Sequence, residues 1–433
     1  MERYAAYKDS GVEWIGEIPE GWTRSKLKYI GNYINGFAFK PSDWSSVGLP
    51  IIRIQDLTGS SDSPNYYSGE IDKRYLVNPG DLLVSWAATI GAFRWRGDIA
   101  WLNQHIFKAQ MNEAVCQKSY AYWLLSASID ELDHENKHGI MMAHLTGSVF
   151  NNFEVVLPPI GEQQAIVDYI NTKIAEIDDI VAETERSIEL LREYRKSVIS
   201  EAVTKGLNPD APMKDSGIDW IGQIPKGWQT VSLGNYAYIR ARLGWRALKA
   251  EEYVEEGYPM YSAFNIQDSK FVTEPVNYIT EERYLESPEI MLSVGDLLLV
   301  KDGAGVGKCA VVRELSEAST VNGSMAVITP DSSFDSRYLH YYFDSNSFQH
   351  FAHMLMGGMG VPHLFQRDIK KMKVILPNTF EEQQEIADYL DAKTTETDSL
   401  IADKEKQVEL LKEYRKSLIS EAVTGKFKVP GLE

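Results

Sequence analysis

The runs of residues whose types could do chemistry fail one by one as catalytic sites. KDGAGVGKC (301–309) has a glycine spacing like that of a phosphate loop. A Walker A loop needs G-x-x-x-x-G-K-[ST], because the final hydroxyl holds magnesium. Here Asp302 stands five residues before Gly307, and Cys309 replaces the hydroxyl, so a β-hairpin turn is expected instead. His134, Glu135 and His138 read H-E-N-K-H, the H-E-x-x-H spacing of a zinc helix, with Glu131 and Asp133 nearby, but the five residues carry no further ligand signature and no metal role is assigned to them. A polar helix end or loop accounts for that group. Ser148 lacks the G-x-S-x-G of a nucleophile elbow. There is no N-P-P-Y tetrapeptide, no glycine-rich adenosylmethionine loop and no nuclease-like carboxylate–lysine cluster. The chain is therefore read as a recogniser or scaffold, not an enzyme, with no catalytic residue, metal or cofactor of its own.

Other side chains suit the reading of nucleobases. Arg and Gln match guanine and adenine edges bidentately, and Lys anchors phosphate. The first half offers Arg53, Gln55, Arg94, Arg96, Asn103, Gln104 and His105. The second offers Arg240, Arg242, Arg246, Lys301, Lys308, Asn322 and His363. Asn103 and Asn322 suit loop caps as well as base contacts. Trp14, Trp22, Trp220 and Trp228 recur at matching places and are read as packing residues.

The elements that must position these groups come twice. YKDSGVEWIGEIPEGW (7–22) returns as MKDSGIDWIGQIPKGW (213–228), and GDLLV (80–84) as GDLLL (295–299). The stretch opening EQQ at 162 and closing EYRKSVISEAVT at 204 returns from 382 to 424 as EQQ…EYRKSLISEAVT. Such repetition governs how every local motif is read. The offset between copies grows from 206 to 220, so the second copy has gained fourteen residues, mostly before GDLL. The ends match and the middles diverge, which points to one scaffold carrying two different readers. Each middle reads as mixed structure. Short β-rich runs lie at PIIRIQDL (50–57), DLLVSWA (81–87), DLLLVKDG (296–303) and CAVVREL (309–315). Helices follow at about 118–133 and 335–355.

The matching tails carry heptad spacing. One seam runs Val167, Ile170, Ile174, Ile177, Val181, Thr184, Ile188, Leu191, Arg195 and Val198. The other runs Ala387, Leu390, Thr394, Thr397, Ile401, Lys404, Val408, Leu411, Arg415 and Leu418, and is more polar. A helix of about 38 residues extends roughly 57 Å and cannot hide its stripe alone. Its twin is the obvious mate. Antiparallel pairing would give an internal pseudo-two-fold matching the inverted strands of duplex DNA; parallel pairing would not. Gly161 is read as preceding the first helix, with Gly206 and Pro209 after it; Gly425 and Pro430 follow the second. Tyr194 and Tyr414 lie off the seam, and with Arg195, Lys196, Arg415 and Lys416 they suggest a partner interface.

Composition bounds the rest. A chain of 433 residues with 44% hydrophobic content implies two or three globular domains. Cys116 and Cys309 fall in different copies, which supports neither a disulfide framework nor a cysteine-rich metal site. With no signal-like start and no long apolar run, a cytoplasmic protein is expected. The net charge of -18 argues against autonomous tight DNA binding. Binding through a charged face, or shared with a basic partner, stays open.

In this duplicated order the chain resembles the DNA-specificity subunit of Type I restriction–modification systems, the HsdS-like family. The resemblance rests on KDSGVEWIGEIPEGW (8–22), GDLLV, LPPIGEQQAIVDYI (157–170) and LLREYRKSVISEAVTKG (190–206), and on their second copies, and it covers nearly the whole chain. The first copy departs at 85–91, where SWAATIG lacks the glycine-rich hairpin opening; a local loop change is expected there.

The resemblance implies an α+β chain with two mixed α/β target recognition domains joined by long helices in an antiparallel coiled coil. It divides the chain into an N-terminal conserved segment (1–20), recognition domain 1 (21–160) and a central conserved helix (161–205). A linker with the repeated segment (206–226), recognition domain 2 (227–380), a distal conserved helix (381–425) and a tail (426–433) complete it. It implies a non-catalytic subunit that reads an asymmetric bipartite sequence on double-stranded DNA. Its partners would be two modification subunits and the restriction subunits, with S-adenosylmethionine, ATP and magnesium residing in them. The alternatives are a specificity subunit for a fused restriction–modification partner, and a DNA-free scaffold or decoy that captures modification subunits.

Overall fold

The computed structural model describes residues 2–60, 63–87, 89–137, 147–242, 250–303, 305–355 and 363–432, with the backbone alone at 135–137, 250 and 353–355. The chain forms two compact units. Unit 1 comprises Met1–Thr184 with Lys406–Glu433, and unit 2 comprises Glu185–Glu405. Each contains one α/β domain and parts of two long helices, Ile160–Lys205 and Phe380–Val423.

In unit 1 the main sheet has four strands in the spatial order Gly31–Asn35, Ile106–Met111, Leu82–Ser85 and Gly91–Arg94, all antiparallel. A second sheet sets Leu49–Ile52 parallel to Ala100–Leu102. Unit 2 repeats the plan. Its main sheet is Ala237–Arg240, Met325–Pro330, Leu297–Val300 and Cys309–Val311, and Tyr258–Tyr261 lies parallel to Thr320–Val321. The GDLL runs become fully buried central strands, which explains their continuous Leu/Val character. The loop at 301–308 joins the antiparallel strands Leu297–Val300 and Cys309–Val311, so the glycine-rich run is the expected hairpin.

Several sequence expectations shift. The IQDL of PIIRIQDL is not strand: the strand stops at Ile52 and a short helix runs Ile54–Thr58. The helix expected at 335–355 is two, Ser336–Asp344 and Asn346–Leu355, because Ser345 adopts an extended backbone at the junction. The first long helix begins at Ile160, so Gly161 lies inside its first turn instead of before it. His138 lies outside the described residues, while His134 falls in the helix Lys118–Lys137.

The repeated motifs prove to be the joints between domain and helices. In unit 1, Trp22 Nε1 donates to Glu162 at 3.2 Å, Gln163 accepts from the Gln117 backbone at 2.8 Å, and Tyr120 donates to the Val423 carbonyl at 3.1 Å. In unit 2, Trp228 donates to Glu382 at 3.0 Å, Gln383 accepts from Asp335 N at 2.9 Å, and Tyr338 donates to the Val203 carbonyl at 3.0 Å. Trp22, Trp228, Tyr120 and Tyr338 are all buried, which accounts for the duplicated GW and EQQ. Gly206 and Gly425 take φ of +75° and +73° just past the helix ends, as a left-handed helix stop requires.

Every seam position on both helices is buried or half-buried. In unit 1 the seam residues Ile170, Ile174 and Ile177 share a core with Leu418, Ile419 and Val423. In unit 2, Ile199 and Val203 share one with Ile386 and Leu390. Cys116 and Cys309 are buried inside; burial pushes the Cys116 thiol up to about 12 and raises Cys309 as well, so neither is a reactive thiolate at neutral pH.

Polar contacts also hold the unit 2 domain to its helix. Asp391 receives Arg313 at 2.6 Å, Arg337 at 3.1 Å and the Tyr341 hydroxyl at 2.7 Å. Burial alone would raise its carboxyl, but hydrogen bonds from Arg313, Tyr341 and Arg337 outweigh this and hold it below its ordinary value. A depressed folded value gives stability that is present above the unfolded value of about 4 and is lost as pH falls through the folded one. Asp391→Asn should therefore unfold with a shallower pH dependence below about pH 4 than the unaltered chain, followed by denaturant titration. The single hydrogen of the Tyr338 hydroxyl is shared between the Val203 and Ile375 carbonyls, both at 3.0 Å, and removing it takes a buried donor from them. Tyr338→Phe should cost about 1–3 kcal/mol in the same assay, with exposed Tyr194→Phe as the unchanged control.

Candidate nucleic-acid interface

The sheet topology gathers loops at one end of each domain. In unit 1, Gly31–Asn35 and Leu82–Ser85 both run antiparallel to Ile106–Met111. Their trailing loops and the turn before Ile106 thus emerge together. The parallel pairing of Leu102 with Ile52 brings Arg53 out beside Asn103. Hydrogen bonds bind these exits into a ridge: Phe37 N to Leu102 O at 2.9 Å, Gln104 N to Phe37 O at 2.9 Å, and Trp86 N to His105 O at 3.1 Å. His105 carries a φ of +73°, a conformation costly for a residue with a Cβ, and its ring meets Trp86 edge-on at 4.7 Å.

Unit 2 gathers the corresponding loops with other side chains, and its bond from Lys301 N matches the one from Trp86 N. Asn322 N donates to Tyr261 O at 2.8 Å, Lys301 N to Ser324 O at 2.9 Å, and Leu364 N to Lys301 O at 2.8 Å. Asp302 sits between Lys301 and His363 and pairs with both, while Phe365 packs on His363 at 4.2 Å and Arg367 lies over Phe365 at 4.9 Å. Phe365 and Arg367 are exposed.

The predicted residues divide accordingly. Arg53, Gln55, Asn103, Gln104 and His105 come together at the loop end of unit 1, and Lys301, Lys308, Asn322 and His363 at that of unit 2. Arg53 is tied to Asp56 and the Ser63 carbonyl. Asn103 and Asn322 each accept a backbone N–H of their own turn, at 2.9 and 3.1 Å, so both shape loops. Arg94 and Arg96 are exposed and lie at the end of the sheet away from Ser85 and Ile106, where they line one cavity with Asp56, Leu57 and Gly59 and Arg94 lies over Tyr122 at 5.3 Å. Arg240 points inward, 9% exposed, to Asp296 at 2.8 Å and to Thr329. Arg242 faces Glu286 at 3.5 Å with its side chain 7% exposed. Arg246 lies outside the described residues. On the helices, Arg195 binds Asp344 and Asp398, and Arg415 binds Asp178. Tyr194 and Tyr414 are exposed, as are Lys196 and Lys416.

Sequence reasoning passed over Trp86, Phe365 and Arg367, which stand among these loops. The growing offset between copies hid them, since Trp86 matches Lys301 at 215 while Asn103 matches Asn322 at 219. Only the strand register makes the matches visible.

This twofold construction meets a twofold match. The model of the Type I restriction modification DNA specificity domain matches residues 19–190 and again 225–410. The chain belongs to that family. It is 26% identical over 407 residues to the Type I restriction enzyme EcoBI specificity subunit of Escherichia coli, covering 92% of this chain and 84% of that one. It is 24% identical to the MjaVIII specificity subunit of Methanocaldococcus jannaschii, covering 83% and 82%. In fold it is similar to a chain solved in a structural study of type I R-M complex assembly, with a TM-score of 0.70 at 17% identity, covering 94% and 98%. It is also similar to the HsdS subunit from Thermoanaerobacter tengcongensis, with a TM-score of 0.52 at 18% identity and the same coverage. Membership in this specificity family makes the chain a non-catalytic component. Among the described residues no group of three or more His, Cys, Asp or Glu could hold a metal ion, and no helix is long and apolar enough to cross a membrane.

The inward arginine gives a direct test of the assignment of roles. Breaking a buried ion pair strands its partner charge. Arg240→Ala should destabilise unit 2 by about 3–5 kcal/mol, read by denaturant unfolding, whereas Lys308→Ala, on an exposed loop position, should leave unfolding unchanged.

Proposed function

We propose that this chain reads an asymmetric bipartite sequence on double-stranded DNA, one half with each domain, and positions modification and restriction subunits on it. The observation that carries this is the ridge. The same strand plan gathers loops at one end of both units, with one equivalent bond in each, Trp86 N to His105 O and Lys301 N to Ser324 O, and a different set of side chains. A scaffold kept twice with its outward chemistry changed is what two different half-sites require. The basic and amide groups brought to those ends are the proposed contacts. Adenosylmethionine, ATP and magnesium belong to the partner subunits, and the complex acts in the cytoplasm, where the DNA is.

The long helices set the distance between the half-sites in this reading. Their ion pairs favour an antiparallel coiled coil with an internal pseudo-two-fold. Partner numbers fall as the chain rises: Asp178 meets Arg415 in unit 1, while Arg192 meets Glu405 and Arg195 meets Asp398 in unit 2. Tyr414 lies near Tyr169 and Lys173 in unit 1, and Tyr194 near Tyr389 and Lys393 in unit 2. In each unit that lysine pairs with a glutamate three residues on, at 2.6 and 2.8 Å. Two like outer patches, with exposed Tyr194, Lys196, Tyr414 and Lys416, suit two copies of one modification subunit.

Removing one heptad from each helix, 181–187 and 401–407, shortens both by about 10 Å. Mapping methylated adenines in host DNA should show the unread spacer shortened by about three base pairs, or methylation abolished. Unchanged spacing with full activity would overturn the role of the helices. Absence of any bipartite methylated motif dependent on the unaltered chain would overturn the function itself.

A further inference from the structure

We infer that Gln55 in unit 1 and Phe264 in unit 2 occupy one and the same base-reading position, and that their different chemistry gives the two half-sites different letters there. The inference rests on the DNA-reading function proposed above. The equivalence is set by the backbone. In unit 1, the strand ending at Ile52 lies parallel to the one ending at Leu102, and in unit 2 the strand ending at Tyr261 lies parallel to the one ending at Val321. Each is followed by the same capped turn. Arg53 N donates to Asp56 Oδ2 at 2.7 Å, and Ser262 N donates to Asn265 Oδ1 at 2.9 Å. The turn closes with Asp56 N to Arg53 O and Asn265 N to Ser262 O, both at 2.9 Å. Gln55 and Phe264 each stand two residues into that turn, and both point into solvent.

Phe264 is 72% exposed. Single exposed apolar residues are common, but this ring is held out by an unusually firm base. The next residue, Asn265, is 3% exposed and its amide donates to the Val272 and Pro275 carbonyls, both at 3.0 Å. Ser262 Oγ accepts from Phe264 N at 3.3 Å. The turn is thus rigid beneath the ring, and rigid presentation is what binding rewards. The turn opens beside Asn103 in one unit and Asn322 in the other, since Ile52 pairs with Leu102 and Tyr261 with Val321.

The chemistry then differs in kind. A glutamine amide offers one donor and one acceptor, which match adenine N6 and N7 in the major groove. A phenyl ring offers neither; it favours apolar contact with the thymine methyl. Neither substitution touches the packing of its turn, because the side chains face water while the cap is made by the residues on either side.

The full chain, co-expressed with its modification subunits, carries Gln55→Phe, Phe264→Gln or each alanine variant, and adenine methylation is mapped across the host genome. Gln55→Phe and Gln55→Ala should relax one base position in one half of the motif and leave the other half intact. Phe264→Gln and Phe264→Ala should relax one position in the opposite half only. Discrimination at the affected base should fall roughly ten- to a hundredfold, the contribution of one good base contact. An unaltered motif in all four variants overturns the inference while the function stands, and so does relaxation of both halves by a single variant. If the unaltered chain directs no bipartite methylation, the function itself has failed.

Discussion

Each domain is anchored to the helices by buried side chains drawn from three distant stretches of chain, and the rest of the structure depends on that joint. In unit 1 the indole of Trp22, from the start of the domain, meets Glu162, just after it; Tyr120, inside the domain, meets the carbonyl of Val423 near the end of the second long helix. Unit 2 makes the same joint from Trp228, Glu382, Tyr338 and Val203. The Trp and Tyr rings are buried, so leaving one of their polar atoms unpaired would cost about 1–3 kcal/mol. The joint therefore fixes Trp, Glu, Gln, Tyr and the helix-ending glycine in both copies. The loops on the far side of each domain carry no such constraint, and there the copies differ.

The same logic explains why the second seam is the more polar one. Thr394 and Thr397 replace Ile174 and Ile177, yet both are buried. Their hydroxyls donate to the carbonyls of Leu390 and Lys393 at 2.7 and 2.8 Å, so no polar atom is stranded. Thr394 also meets the hydroxyl of Tyr341, which in turn binds Asp391. Unit 1 has a smaller version: Trp123 donates to Asn171 at 3.2 Å. One contact between domain and helix is thus built twice, once mostly from hydrocarbon and once from a hydrogen-bonded network.

How much of this was legible in the sequence follows from range. The long helices were, because their period is local and sustained over many turns; the ends at Lys205 and Val423 fall where Gly206 and Gly425 predict. The duplicated frame was legible too, because identical joints keep identical residues. The short helix Ile54–Thr58 was not, since five residues with two apolar ones carry no decisive period. The fate of single arginines was hidden as well. Arg240 reads like an exposed base contact, and only the sheet register brings it to Asp296. Arg94 and Arg96 were candidates together with Gln104, but strand direction puts them at the other end of the sheet.

The net charge of -18 is then no argument against the function proposed. Net charge is a sum, whereas attraction to phosphate depends on local field within about a Debye length of 8–10 Å. Much of the acidity sits on the long helices and is spent internally. Asp388 and Asp391 bind Arg337, Asp391 also binds Arg313, and Asp398 holds both Arg195 and Lys270. At the ridges, by contrast, the acids act on the chain itself: Asp56 caps a turn, and Asp302 is engaged by Lys301 and His363. What faces outward there is amide, imidazole, aromatic and cationic. Such a surface offers weak non-specific attraction and dense base-edge chemistry. In the function proposed, a surface of that kind supplies base-edge contacts while a more basic partner subunit supplies the phosphate contacts, so the acidity of this chain is consistent with shared binding.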